Sequence, residues 1–150
     1  AVFNTGFTVS ATASSGLPVA YSSIAPLSNV GADYTMTSGT GTGVVIYNQA
    51  GDDNYNAAPE VTASVLAEKA ESTIAVTGLT SFTYNAAPQG PSTADVTGST
   101  GAVTYEYTGT STGGVSYGPS ATQPTLAGSY SVVATVASDD NFNGKSVGVN

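Results

Sequence analysis

A chain of 150 residues with 2 Lys+Arg, 10 Asp+Glu and no His carries a formal net charge of -8. That cation deficit excludes a nucleic-acid partner, which needs clustered Lys and Arg, and argues against anionic membrane surfaces. With no Cys there can be neither a disulfide nor a thiolate metal site.

Only 8% of residues are charged and 40% are hydrophobic, so the chain can pack a core. Its 18 Gly and 7 Pro, with abundant Thr, Ser and Val, favour short strands joined by turns. Residues 7–13 alternate apolar and polar and predict the first strand, with a turn over Ser14–Pro18 and a second strand over Val19–Ser23. Residues 29–37 and 42–50 predict a hairpin with its tip at Ser38–Gly41. Pro59-Glu60 could open a helix, but Val61, Ala63, Val65 and Ala67 recur with period two, so a strand over Val61–Glu68 is expected. No apolar run approaches a membrane span, so membrane insertion is not expected.

The second half repeats the first. Ser15–Tyr21 aligns with Ser99–Tyr105, and the acidic turn Ala50-Gly51-Asp52-Asp53-Asn54-Tyr55-Asn56 returns as Ala137-Ser138-Asp139-Asp140-Asn141-Phe142-Asn143. The spacing between these anchors is slightly longer in the second copy, which places an insertion around Gly109–Gly114. Two domains are therefore expected, 1–70 and 71–150. The stretch Ser72–Thr80 has no counterpart ahead of Ala1, so the first copy is expected to lack its opening strand. The second is expected to end with a truncated last strand. A window from a longer array, or edge strands supplied by neighbouring chains, would explain both ends.

About seven short strands per copy, at regular spacing, predict an all-β fold: two tandem immunoglobulin-like antiparallel β-sandwiches of Greek-key type. Val103, Tyr105 and Tyr107 share one strand face; Tyr130, Val132, Ala134 and Val136 share another, matched by Val45, Tyr47 and Gln49. These faces are the expected cores.

Ala11–Ser23, leading to Gln49–Tyr55, resembles bacterial Ig-like repeats of large surface proteins. Tyr84-Asn85-Ala86-Ala87-Pro88-Gln89-Gly90-Pro91 resembles the opening of the related MBG-type repeat, as do Val96–Gly98, Val103–Tyr107, Tyr117–Ala121 and Ala127–Tyr130. The resemblance implies long extracellular or cell-surface bacterial proteins, often adhesins, in which tandem sandwiches carry other domains outward. The function it implies is a non-catalytic spacer. Expected partners are neighbouring repeats of the same chain or identical subunits, with a glycan or a host or cell-surface protein as the second possibility.

The one candidate site is the repeated turn. Asp52, Asp53, Asn54 and Asn56, and Asp139, Asp140, Asn141 and Asn143, offer oxygen ligands of the kind Ca²⁺ takes, but neither turn has the distal Glu of an EF-hand loop. The favoured reading is structural: Asp and Asn cap a turn while Tyr55 or Phe142 plugs the core. No cofactor is expected, and without His or Cys no general base or thiolate accompanies the abundant Ser and Thr, so no enzyme is expected.

Overall fold

In a computed structural model describing residues 1–150, the chain is all-β and divides into two compact units, Ala1–Ala70 and Glu71–Asn150. Unit 1 contains β1 (Gly6–Thr8), β2 (Ala20–Ile24), β3 (Leu27–Val30), β4 (Asp33–Met36), β5 (Thr42–Asn48) and β6 (Val61–Leu66). They form two antiparallel three-stranded sheets, in the orders β1-β4-β3 and β2-β5-β6. Side chains from both sheets meet in one core: Leu27, Tyr34, Met36, Val45 and Ala67, with Phe7, Val9, Tyr21, Tyr47 and Val65 packed against them. Tyr34 reaches across from β4 and donates its hydroxyl to the Ser22 carbonyl of β2 at 3.0 Å, so the largest buried side chain also has its polar tip satisfied.

Unit 2 contains β7 (Thr73–Thr77), β8 (Thr93–Thr97), β9 (Val103–Ser111), β10 (Ser116–Ser120), β11 (Gly128–Val136) and β12 (Lys145–Val149). Its sheets have the orders β10-β9-β11-β12 and β7-β8. Ile74, Ala134 and Val136 centre the core, with Val76, Ala94, Val96, Val103, Tyr105 and Val147 around them. The inward faces expected from period two are the faces the structure buries, because the pleat alternates side chains strictly. Two sheets over an apolar core in each unit are consistent with a β-sandwich.

Three expectations need correction. Residues 29–37 and 42–50 are not a hairpin. Segment 27–36 folds back on itself through Gly31 and Ala32, with Leu27 opposite Met36 and Val30 opposite Asp33. Gly31, at φ 59°, supplies the left-handed backbone that so tight a reversal needs, and the Asn29 amide donates to its carbonyl at 2.9 Å. Residues 38–41 then cross from one sheet to the other.

The strand expected over 7–13 pairs only through Gly6–Thr8, although Phe7, Val9, Ala11 and Ala13 all remain half-buried while their neighbours face solvent. The alternation is therefore a property of the chain; the ladder requires a partner, and beyond Thr8 there is no strand. The stretch 61–68 is a strand over Val61–Leu66, as period two predicts, but only Val65 and Ala67 turn inward. Val61 and Ala63 are exposed on this edge strand.

The two units have one three-strand order in common. Strands β2, β5 and β6 correspond to β9, β11 and β12, in the same order and direction. Val9 and Ala11 in unit 1, like Ala94 and Val96 of β8 in unit 2, are half-buried with exposed neighbours. In unit 2 that strand, β8, is covered along its length by β7; in unit 1 no strand covers Val9–Ala13.

Candidate functional site

Both acidic turns follow the central strand of their sheet and share one local architecture. Asp52 Oδ1 accepts from the amides of Asn54 and Tyr55 at 2.8 and 2.9 Å, while the Asp52 amide donates to the Tyr55 carbonyl at 2.9 Å. Asp139 Oδ1 accepts from the amides of Asn141 and Phe142 at 2.9 and 2.8 Å, and its amide donates to the Phe142 carbonyl at 3.1 Å. This is the Asx-turn chemistry that Asp supplies when it hydrogen-bonds the backbone two and three residues on.

Tertiary surroundings separate the two turns. Residues Asp52–Glu60 are exposed throughout, and Tyr55 retains 52% of its accessible surface. The expectation that Tyr55 plugs a core is wrong. The loop closes on itself instead: a Cβ on Gly51 would lie 2.4 Å from the Tyr55 carbonyl oxygen, so only glycine fits. Phe142 is half-buried and covers Gly98, whose Cβ would lie 2.9 Å from its ring.

Asp139 uses its second oxygen to accept from the Thr100 amide at 2.8 Å and from the Thr100 hydroxyl at 3.1 Å. Nearby, the Ser99 hydroxyl donates to the Ala137 carbonyl at 2.6 Å, and the Ala137 amide donates to Ala102 at 3.0 Å. The Thr100 amide, then those of Asn141 and Phe142 and the Thr100 hydroxyl, hold the Asp139 carboxyl well below the usual carboxylate range, against a smaller opposing effect of burial.

As a cation site each turn has its leading carboxylate already engaged with backbone donors. Asp53 and Asp140 are exposed, as are Asn54 and Asn56; Asn141 and Asn143 are half-buried, and Asn143 donates to Glu71 at 2.7 Å. No three acidic side chains gather where a metal ion could sit. The structure thus brings each set of four together along one loop, with its main hydrogen bonds directed to backbone amides.

A second site went unnoticed in the sequence. One end of unit 2 opens into a cavity of about 430 Å³, lined by Phe82, Tyr84, Leu126, Tyr130, Val132 and Asn150 among others, none with a charged side chain. Phe82, Tyr84 and Leu126 keep much of their surface exposed there. Tyr107, buried on the cavity floor, donates its hydroxyl to the Pro91 carbonyl at 2.6 Å, and burial raises its pKa above the ordinary tyrosine value. The available signal was Phe82-Thr83-Tyr84: aromatics on alternate residues in a stretch rich in Gly, Asn and Pro that forms no strand.

No family model matches the chain, no curated protein matches it, and no solved structure matches it.

Proposed function

We propose that the chain is a non-catalytic structural repeat of an extracellular bacterial surface protein or filament, each unit an immunoglobulin-like Greek-key sandwich that projects or links other domains. The observation that carries this reading is the repeated three-strand order β2-β5-β6 and β9-β11-β12, with the acidic turn at the same corner of each. In unit 1 the orders β1-β4-β3 and β2-β5-β6 correspond to strands B-E-D and C-F-G of an immunoglobulin constant-type domain. In unit 2, β7 and β8 take the places of A and B, and β10 lies beside C. The work of such a module is geometric: stiff sandwiches set reach, and outer strands such as β6 admit strand addition between units.

Stretching the chain between handles tests this reading. Two unfolding events are expected, each releasing about 250 Å of contour for 70–80 residues. A single event without a sawtooth would overturn it. The competing reading, an adhesive module for a glycan or protein, draws on the exposed aromatics Phe82 and Tyr84 beside the unit 2 cavity. Retention on a glycan panel with micromolar affinity, abolished by Tyr84→Ala, would favour it.

A further inference from the structure

The acidic turn of unit 2 ends on a step that its counterpart in unit 1 lacks. Asn143 is followed by Gly144, the chain's one Asn-Gly step, whereas the matching Asn56 is followed by Ala57. Glycine stands at 144 because the chain is pressed against the end of β11. A Cβ there would lie 2.7 Å from the Val136 carbonyl oxygen and 2.9 Å from the Ser138 amide nitrogen. Packing thus selects the residue that leaves its own backbone nitrogen least hindered.

That nitrogen is also open to solvent. Asn143 and Gly144 lie in no strand, between the turn and β12, so no ladder fixes their backbone. Gly144 is exposed and its amide makes no hydrogen bond within the chain. The Asn143 side chain has one partner: Nδ2 donates to Glu71 Oε1 at 2.7 Å.

We propose that Asn143-Gly144 is a site of spontaneous covalent modification, an intramolecular deamidation that cuts the tie between Asn143 and Glu71. The Gly144 nitrogen gives its proton to solvent base and attacks Cγ of Asn143. An N–Cγ bond forms and closes a five-membered succinimide. The Cγ–Nδ2 bond breaks, and the side-chain nitrogen takes a proton from water and leaves as ammonia. Water then opens the ring. Addition at Cγ leaves aspartate; addition at the main-chain carbonyl carbon leaves isoaspartate, with the backbone routed through Cβ. Water is the only co-reactant, and nothing is oxidised or reduced.

Both products lose the donor that Glu71 accepts from and set a second carboxylate beside it, a like charge that repels. Isoaspartate also lengthens the main chain by one carbon just before Lys145 pairs with Val136, where the contact at Gly144 leaves no slack. The modification acts within unit 2 and does not depend on the proposed spacer role.

The test incubates the whole chain in mildly alkaline buffer, folded and in urea, and follows each asparagine by site-resolved mass spectrometry. In the folded chain Asn143 is expected to exchange amide for carboxylate at least about tenfold faster than Asn56, where the Ala57 Cβ crowds the attacking nitrogen. Its folded rate is expected to stay within about tenfold of its rate in urea. A folded rate further below the urea rate, or a smaller margin over Asn56, overturns the proposal. Asn143→Asp, one product made directly, is expected to lower the unit 2 melting temperature at neutral pH by about 2–5 °C. Adding Glu71→Gln to that variant is expected to recover at least about half of the loss. An unchanged melting temperature, or no recovery, overturns the link to Glu71.

Discussion

The acidic turns of the two units have nearly the same sequence and the same inner hydrogen bonds, yet one hangs in solvent and the other is part of a packed corner. Asp52 and Asp139 each bind two backbone amides through one oxygen. Only Asp139 has a use for its other oxygen, because Thr100 is brought against it. The reason lies outside the motif. In unit 2, Gly101 permits the close approach of the Ser99–Ala102 loop: a Cβ there would lie 2.3 Å from the Ala137 carbonyl oxygen. In unit 1, Ser15 accepts from the Leu17 amide as Ser99 accepts from the Gly101 amide, but Gly16 has nothing within 4 Å. A local motif fixes a turn; what the turn supports depends on the neighbouring loop.

The largest expected effect breaks that contact directly. Gly101→Val forces the loop off Ala137 and is expected to destabilise unit 2 by about 3 kcal/mol or more. Gly16→Val, strained only by its positive φ of 73°, is expected to cost unit 1 about 1 kcal/mol. Differential scanning calorimetry on the two variants reads this difference. Next comes the aromatic inside each turn. Phe142→Ala uncovers Gly98 and is expected to cost about 2 kcal/mol, whereas Tyr55→Ala, at an exposed position, is expected to stay within about 0.5 kcal/mol of the parent. Equal losses in urea unfolding would show that both turns are packed alike.

The carboxylates sharpen the comparison through pH. Because the Asp139 carboxyl is held below its unfolded value of 3.8, its contribution is fully present above about pH 4–5 and is lost as pH falls through the depressed folded value. Asp139→Asn should therefore lower the melting temperature of unit 2 at pH 7 and flatten its fall on acidification below pH 4. Asp52→Asn, read in the same thermal melts, should lower the melting temperature of unit 1 by less. The smallest expected effect concerns cations: with both leading carboxylates committed to amides, millimolar Ca²⁺ should move neither melting temperature by more than about 1 °C. A large upward shift would restore the cation reading.

Much of the fold could be read from period two, since Val103–Tyr107, Tyr130–Val136 and Val45–Gln49 bury the faces their alternation marks. Pairing could not be read as easily. The alternation at 29–37 looked like one strand because a two-residue reversal at Gly31 and Ala32 barely interrupts it. The alternation at 7–13 is real but its ladder ends where the Val9 amide donates to the Ala32 carbonyl, because hydrogen bonding is a property of two strands. The site was half legible. Asx-turn chemistry follows from Asp and its next few residues, but whether Tyr55 or Phe142 is covered depends on a loop some 40 residues away in sequence. The cavity beside Tyr130 was hidden for the same reason: it gathers Phe82, Tyr84, Pro91, Leu126 and Tyr130 from separate stretches of the chain.

One difference between the units bears on how each folds. Gly43 of β5 leaves room for Leu27, whose Cγ would lie 2.6 Å from a Cβ there. At the matching place on β11 stands Tyr130, its ring over Gly109 and edge-on to Tyr117 at 5.8 Å. A hybrid sandwich that joined β3 of unit 1 to β11 of unit 2 would drive Leu27 into Tyr130. Tandem domains of similar sequence are prone to trading strands while they fold. Here unit 1 carries a steric password that unit 2 does not match.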